Sequence, residues 1–280
     1  MTTKFDPKIL KDLYKPPPAS DGEDNGQVTI IGGSKLFHGA PLLSLKVASR
    51  IVDMVFFSSP EPSVGKVANY IKAKLGSFIW VPWKEIDKYI QKSDAALLGP
   101  GFMRYKTEES HKGGDLSYCD EACRMSRLIT KRLLLRHPYK KWVIDAGSLQ
   151  TMYPEWIPKN SILTPNKKEY SMLFGKMDIA EASKEYSCII CLKGEITKVA
   201  SPQEVVEISG GNAGLTKGGT GDVHAGLTVA LLAKNEPFLA AQAAAYIIKK
   251  TAENLAESVG VYFNADDLAD DVPKTLARLG

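Results

Sequence analysis

Residues 27–41 read QVTIIGGSKLFHGAP. The apolar run 27–31 stops at Gly32-Gly33, as a buried strand stops at a turn. Further on, Pro41 suits the first turn of a helix, where its missing N–H costs nothing. Leu42, Leu45, Ala48 or Ser49, and Val52 then recur at helical spacing. A strand, a glycine turn and a helix form the unit from which parallel sheets are wound.

The same punctuation recurs outward from this unit. MVFFSS (54–59), AALLGPG (95–101), KWVIDAG (141–147), SILTPN (161–166) and CIICLKG (188–194) all read as buried strands that stop abruptly. A helix is predicted over about Leu116 to Arg136, with basic residues crowding its end, where the dipole favours them. Two Ala- and Leu-rich helices follow at 223–234 and 238–258, joined by Asn-Glu-Pro. The expected fold class is therefore α/β, a mostly parallel central sheet with helices on both faces. One domain is expected over 1–280, with 1–26 as a polar lead-in and no linker or repeat. In such sheets function gathers beyond the carboxyl ends of the strands. Those ends are Gly32-Gly33-Ser34, Gly99-Pro100-Gly101, Asp145, Thr164-Pro165-Asn166 and Lys193-Gly194.

Composition narrows the function classes. The chain has 280 residues, 36 basic and 32 acidic, for a net charge of +4. That balance argues against a nucleic-acid binder, although an anionic small molecule would be welcome. The basic run RMSRLITKRLLLRHPYKK (124–141) lacks interleaved aromatics and reads as an amphipathic helix with a solvated end. No apolar run approaches the ~20 residues that cross a bilayer, and the N-terminal stretch has no apolar core for a signal peptide. The expected compartment is the cytoplasm, without nucleic-acid or membrane partners. Cys119 and Cys123 are expected on one helix face and Cys188 and Cys191 in a strand, all reduced and none binding zinc.

Two glycine motifs fail. Gly32 does not open G-x-G-x-x-G, because the matching positions hold Ser34 and Phe37, and no Gly-Lys-Ser/Thr completes a P-loop. The stretch KGGTGD (217–222) can still hold phosphate. Gly218, Gly219 and Gly221 let backbone N–H groups converge, and the helix that begins near Gly221 aims its positive end into the same space. Asp222 is the odd member, since a carboxylate beside a phosphate is repulsive. Two readings stand: a helix cap, or a general base that takes a proton from a hydroxyl attacking the held phosphate.

GGTGD followed by VHAGL resembles the anion hole and catalytic Asp of the ribokinase-like superfamily, and within it the NAD(P)H-hydrate dehydratases. The resemblance extends through IIGGSKLFHGAP, LLGPGF, VIDAGSLQ, LTPNKKEYSMLFG and LKG, in family order from Asn25 to Gly226. It implies nucleotide-dependent repair of a hydrated nicotinamide dinucleotide. The ring hydroxyl would be phosphorylated from ADP or ATP, and phosphate would then leave as the double bond returns. By the same resemblance Asp222 is the base, and the amides of Gly219, Thr220 and Gly221 stabilise the moving phosphoryl group. Lys193, Gly194, Glu195, Ile196, Thr197 and Gly221 would contact nucleotide, and Lys217 is expected near phosphate. Ala40, Gly101, Asn166 and Asp222 would line the hydrate pocket, and Mg²⁺ would screen the phosphates. The family's His is Asn166 here, which creates Asn-x-x-Glu, an element through which other ribokinase-like kinases organise Mg²⁺ with Glu169. Gly147 stands where the family has a second Asp. The family's common epimerase domain is expected to be absent.

Two other functions fit parts of this pattern. One is a kinase of the same superfamily acting on a sugar, thiazole or pyridoxal-like alcohol; the other is a nucleotide sensor without turnover. A homo-oligomer is the expected assembly, with LAAQAAAYII (239–248) packing inside the fold or against a neighbour.

Overall fold

The computed structural model describes residues 2–104 and 119–279. Its strands are β1 (Thr2–Lys4), β2 (Gln27–Ile31), β3 (Met54–Ser58), β4 (Ile79–Trp80), β5 (Ala95–Leu98), β6 (Lys141–Ile144), β7 (Ile162–Leu163), β8 (Ile189–Leu192), β9 (Thr197–Ala200) and β10 (Val205–Ile208). They form one ten-stranded sheet in the order β1-β10-β9-β8-β7-β6-β5-β2-β3-β4. From β4 to β8 every pairing is parallel. β9 and β10 add antiparallel pairings at the far side, and β1 joins β10 in parallel.

The helices are α1 (Gly39–Ala48), α2 (Pro62–Ile71), α3 (Ile86–Lys92), α4 (Glu121–Arg136), α5 (Ala146–Thr151), α6 (Lys167–Phe174), α7 (Ile179–Glu185), α8 (Thr220–Lys234), α9 (Pro237–Val259) and α10 (Ala265–Leu279). Successive strand residues point to opposite faces, so each strand feeds two cores. Val28, Ile30, Ala95, Leu97, Val143, Ile162 and Cys191 pack with residues of α1, α2, α8, α9 and α10. Ile31, Ala96, Leu98, Trp142, Ile144, Leu163 and Cys188 pack with residues of α3, α4, α5, α6 and α7. Burial on both faces explains why these strands carry apolar residues on both faces instead of alternating.

α8 lies deep in the first core, and its residues from Val223 to Ala233 are all buried. Gly226 is what allows this. A Cβ there would lie 2.4 Å from the Ser44 carbonyl oxygen and 2.5 Å from Ser44 Cα on α1. Backbone atoms cannot step aside as a side chain does. Gly226→Ala is therefore expected to lower stability by about 3 kcal/mol, read as a melting temperature several degrees lower in thermal denaturation.

Two expectations need correction. The lead-in is structured: β1 pairs with β10, Phe5 stacks on Tyr246 at 4.8 Å, and Leu10 is buried. Its few apolar residues, among them Phe5, Ile9, Leu10 and Leu13, are interspersed with Lys, Asp and Pro, which gives the stretch its polar character. Cys119 and Cys123 are disulfide-bonded, not reduced neighbours on a helix. α4 starts only at Glu121, behind Asp120, whose carboxylate accepts the Cys123 N–H. Cys119 thus precedes the helix, and the turn brings the two Cα atoms to 5.3 Å, within the range a disulfide spans. Residues 116–118, which the predicted helix included, lie outside the described residues. Of the two placements expected for the Ala-rich stretch 239–248, the structure takes the one inside the fold, with Ala240, Ala241, Ala243, Ala244 and Ala245 all in the core.

Candidate active site

The five punctuated strand ends meet along one edge of the sheet. Gly33 N–H donates to the Pro100 carbonyl at 2.8 Å. A Cβ on Gly99, whose φ is +117°, would fall 2.0 Å from the Asp145 carbonyl oxygen. Asp145 accepts the Thr164 hydroxyl at 2.8 Å, and Lys193 N–H donates to the Pro165 carbonyl at 2.8 Å. Each ending touches the next in sheet order, so together they form a continuous crevice floor. Gly147 belongs to this close packing: a Cβ there would lie 2.3 Å from the Phe102 carbonyl oxygen. The second acidic side chain expected from the family pattern has no room.

α8 delivers its N-terminus to this edge. Its N-cap is Gly219, at φ +92°, and no side chain caps the helix. A Cβ on Gly219 would fall 2.5 Å from Leu43 Cδ1, so only glycine makes the turn as built. Thr220 spends its hydroxyl on the Leu215 and Lys217 carbonyls at 2.7 and 2.8 Å. Its N–H leans on the Lys217 carbonyl at 3.4 Å. Among the described residues, the N–H groups of Gly218, Gly219 and Gly221 have no acceptor. These free donors at a helix N-terminus suit an anion. The hydroxyl of Thr220 holds the turn and is not offered to a ligand.

Asp222 sits one residue beyond. Its carboxylate makes no hydrogen bond or ion pair among the described residues, so the capping reading fails. Its backbone carbonyl accepts the Ser44 hydroxyl at 2.7 Å, which fixes the residue against α1. Burial, then the charge of Asp145, push its carboxyl up to about 7; Lys193 pulls it down, and Glu169 raises it further. A free carboxyl poised near neutrality has the properties of a general acid–base group.

Lys193 organises the charges around it. Its ammonium pairs with buried Asp145 at 2.9 Å and lies 3.4 Å from where a Gly221 Cβ would stand. Burial works against the cation, but Asp145, Glu169 and Asp222 more than offset it and raise its pKa.

Beside this cluster opens a cavity of about 650 Å³. Lys193, Gly194, Glu195 and Thr197 from the β8–β9 connection line one side, with Asn166, Thr220 and Gly221. Two predicted members do not join. Ile196 is half exposed, outside the lining. Lys217 turns its ammonium to the carbonyls of Val261 and Phe263, over the Phe263 ring. Those carbonyls satisfy it where a phosphate was expected to.

Asn166 and Glu169 cap α6 reciprocally. Asn166 Oδ1 accepts the Glu169 N–H and Glu169 Oε2 accepts the Asn166 N–H, both at 2.9 Å. Glu169 Oε1 takes Gln150 Nε2 at 3.1 Å. Among the described residues no three acidic, thiol or imidazole groups gather as a metal site. Ala40 and Gly101 lie on the α1 side of the edge. A Cβ on Gly101, at φ +74°, would fall 2.6 Å from the Phe37 carbonyl oxygen and 3.1 Å from Pro41 Cδ, so Pro41 sits between the two predicted residues.

Sequence reasoning missed the far wall of the cavity: the 210–216 loop and, from α9, Ala245, Ile248 and Lys249. The signal was the Gly210-Gly211-Asn212 turn, another Gly pair before a helix. His224, read as a packed residue, is buried and lines the cavity too, with Nε2 3.9 Å from Cys191 Sγ. Burial, then Lys193 and Lys249, bring its pKa down to about 3, so the ring is neutral. His38 meets the Ser63 hydroxyl at 3.0 Å, away from the cavity lining. The basic run of α4 is tied down within the fold: Arg132, Arg136 and His137 converge on Asp87, and Arg127 lies over Tyr153.

Comparison with known proteins bears on the family and the fold. Residues 28–274 match the model of a carbohydrate-kinase-like family described as NAD(P)H-hydrate dehydratase. A bifunctional NAD(P)H-hydrate repair enzyme of Methanocaldococcus jannaschii is 33% identical over 95% of this chain and 51% of its own length. The chain spans about half the length of such bifunctional relatives. A ribokinase-like superfamily protein of Enterococcus faecalis superposes with a TM-score of 0.82 at 19% identity, covering 100% of this chain and 96% of that one. An ADP/ATP-dependent NAD(P)H-hydrate dehydratase of Bacillus subtilis, co-crystallised with ATP/Mg²⁺, superposes with a TM-score of 0.72 at 20% identity, covering 99% of each chain.

Proposed function

The chain belongs to the NAD(P)H-hydrate dehydratase family, and from that premise we propose that it restores damaged NAD(P)H hydrate to NAD(P)H at the expense of ADP or ATP. The carrying observation is the unpartnered Asp222 carboxylate beside the free amides of Gly219 and Gly221, at a cavity of nucleotide size. Asp222 takes the proton of the ring hydroxyl as its oxygen attacks the terminal phosphorus. The donor's bridging P–O bond breaks, and the free amides meet the charge on the phosphoryl oxygens. Lys193, held over Gly221 by Asp145, adds a fixed cation. The carbon–oxygen bond of the phosphorylated hydrate then breaks. The neighbouring ring carbon loses a proton to water, and the oxygen of hydration leaves within phosphate. Hydroxide is a poor leaving group and phosphate a good one, which is why a kinase-like site serves a dehydration.

Magnesium belongs to the proposal as a companion of the nucleotide. Both Glu169 oxygens already accept a hydrogen bond and no protein cage exists among the described residues. That donor set fits an ion carried in on phosphates with its own waters, with Asn166 and Glu169 as outer partners. When bound, it would neutralise phosphate charge. The same pair bears on the rival kinase reading, whose motif here is spent on capping α6. The proposal also keeps a single domain, the cytoplasm and a homo-oligomer, though not through the Ala-rich helix, which is already covered. Among the described residues no helix is long and apolar enough to cross a membrane.

The test is incubation with NADHX or NADPHX plus ADP, and separately ATP. Return of the reduced-nicotinamide absorbance is expected. A stable phosphorylated alcohol with no such return would identify a kinase. With Asp222 as base, kcat/KM should rise about tenfold per pH unit below about 7 and level off above it. A flat profile through that range removes Asp222 from the role.

A further inference from the structure

The far wall of the cavity converges on one side chain. Lys249 stands on α9 and is almost completely buried. Its ammonium donates to the carbonyls of Gly194 at 3.1 Å, Glu195 at 2.7 Å and Gly210 at 3.0 Å. An ammonium has three protons, and all three are spent. No carboxylate lies within ion-pair distance of it among the described residues. Burial lowers its pKa, against the opposing influence of Cys191, Glu253 and Glu195.

The three carbonyls come from two separate stretches of backbone. Gly194 and Glu195 belong to the β8–β9 connection, and Gly210 to the loop that follows β10. Gly194, Glu195, Gly210 and Lys249 itself all line the 650 Å³ cavity. A planar trans peptide points its N–H opposite its C=O. Anchoring the 194 and 195 carbonyls therefore fixes the direction of the Glu195 and Ile196 amides. Neighbours on α9 repeat the arrangement: Glu253 accepts the Gly211 N–H at 2.9 Å, and the Ala252 carbonyl accepts Asn212 Nδ2 at 2.7 Å. Lys249 thus bridges two loops that both line the cavity.

We propose that Lys249 is a positioning residue for the phosphoryl donor, holding the 194–195 and 210 backbones at the spacing that admits a nucleoside diphosphate or triphosphate. The proposal rests on the nucleotide reading of the cavity. It acts on binding and leaves the chemistry at Asp222 alone.

The experiment measures ADP and ATP binding to the intact protein by calorimetry, together with steady-state repair kinetics, for wild type, Lys249→Met and Lys249→Arg. Met keeps the stem and removes every donor; Arg keeps a cation whose planar fork cannot meet three converging carbonyls. Lys249→Met should weaken ADP binding at least tenfold and raise the nucleotide KM in parallel. At saturating nucleotide kcat should stay within about threefold, and the KM for the hydrate should not move. Lys249→Arg should bind ADP several-fold more weakly than wild type, and this variant decides the matter if the Met variant does not fold. Folded variants that bind ADP as wild type does, with only a lower melting temperature, overturn the assignment. So does a fall in kcat at unchanged nucleotide affinity. A wild-type protein that binds neither nucleotide overturns the reading of the cavity itself.

Discussion

Asp222→Asn should lower repair turnover about a thousandfold, within the range attributed to general acid–base groups, while ADP binds as before and the protein becomes harder to unfold. The turnover loss follows from the proposed role: the unpartnered carboxylate beside the free amides acts as base, and Asn keeps its shape without its basicity. Binding persists because the cavity is lined by other groups. The gain in stability follows from the raised pKa. Between about pH 4 and 7 the folded protein holds a proton on Asp222 that the unfolded chain has released. Stability therefore falls as pH rises through that window. A carboxyl moved from its ordinary value to about 7 represents about 4 kcal/mol at most. Discounted for the group's remaining contact with solvent, Asn should add on the order of 2 kcal/mol at pH 8. The gain should shrink as pH falls through that window and vanish below about pH 3, where the wild-type carboxyl is protonated in both states. Denaturant melts at pH 4.5 and 8, beside single-turnover assays, check both halves. Equal turnover, or a variant less stable than wild type at pH 8, contradicts the account.

Lys193→Met should produce the second-largest effect, and on two readouts together. Asp145 is 2% exposed, and its charged partner is Lys193. Removing that partner leaves a buried charge with, among the described residues, only the Thr164 hydroxyl for company, at a cost of about 3–5 kcal/mol. The same loss removes the cation that lowers the pKa of Asp222, while Asp145 and Glu169 continue to raise it. The limb of the kcat/KM profile should therefore move to higher pH, and turnover at pH 7 should fall about a hundredfold or more. A structural lesion alone would lower activity without displacing the limb. An unmoved limb in folded protein would show that Lys193 does not set the charge of the base.

Much of the sheet was legible because its strands are buried on both faces and stop at Gly, Pro or Asp. QVTII, MVFFS and AALL carry that signature without ambiguity. β1, β9 and β10 were not, because Thr2–Lys4 is polar throughout and the β9–β10 pair has no long apolar run. α10 carries Ala265, Leu268, Ala269 and Val272 at helical spacing and could have been read from it. The glycine-rich half of the site was legible too, since its free backbone donors lie close to one another in sequence. The α9 wall was not. Lys249 lies 54 residues from Glu195 and 39 from Gly210, and nothing in an Ala-rich helix announces which lysine turns inward. Lys217 shows the converse: adjacent to the glycines in sequence, it is claimed by carbonyls on another loop.

The burial of α8 carries a final consequence. Its flanks are sealed by protein from Val223 to Ala233, so mobile ions cannot collect along the helix to blunt the field at its tip. Dissolved salt weakens attractions between charges that water surrounds, and reaches enclosed ones far less. Whatever grip this end has on phosphate should therefore survive the high ionic strength that strips anions from exposed lysine clusters.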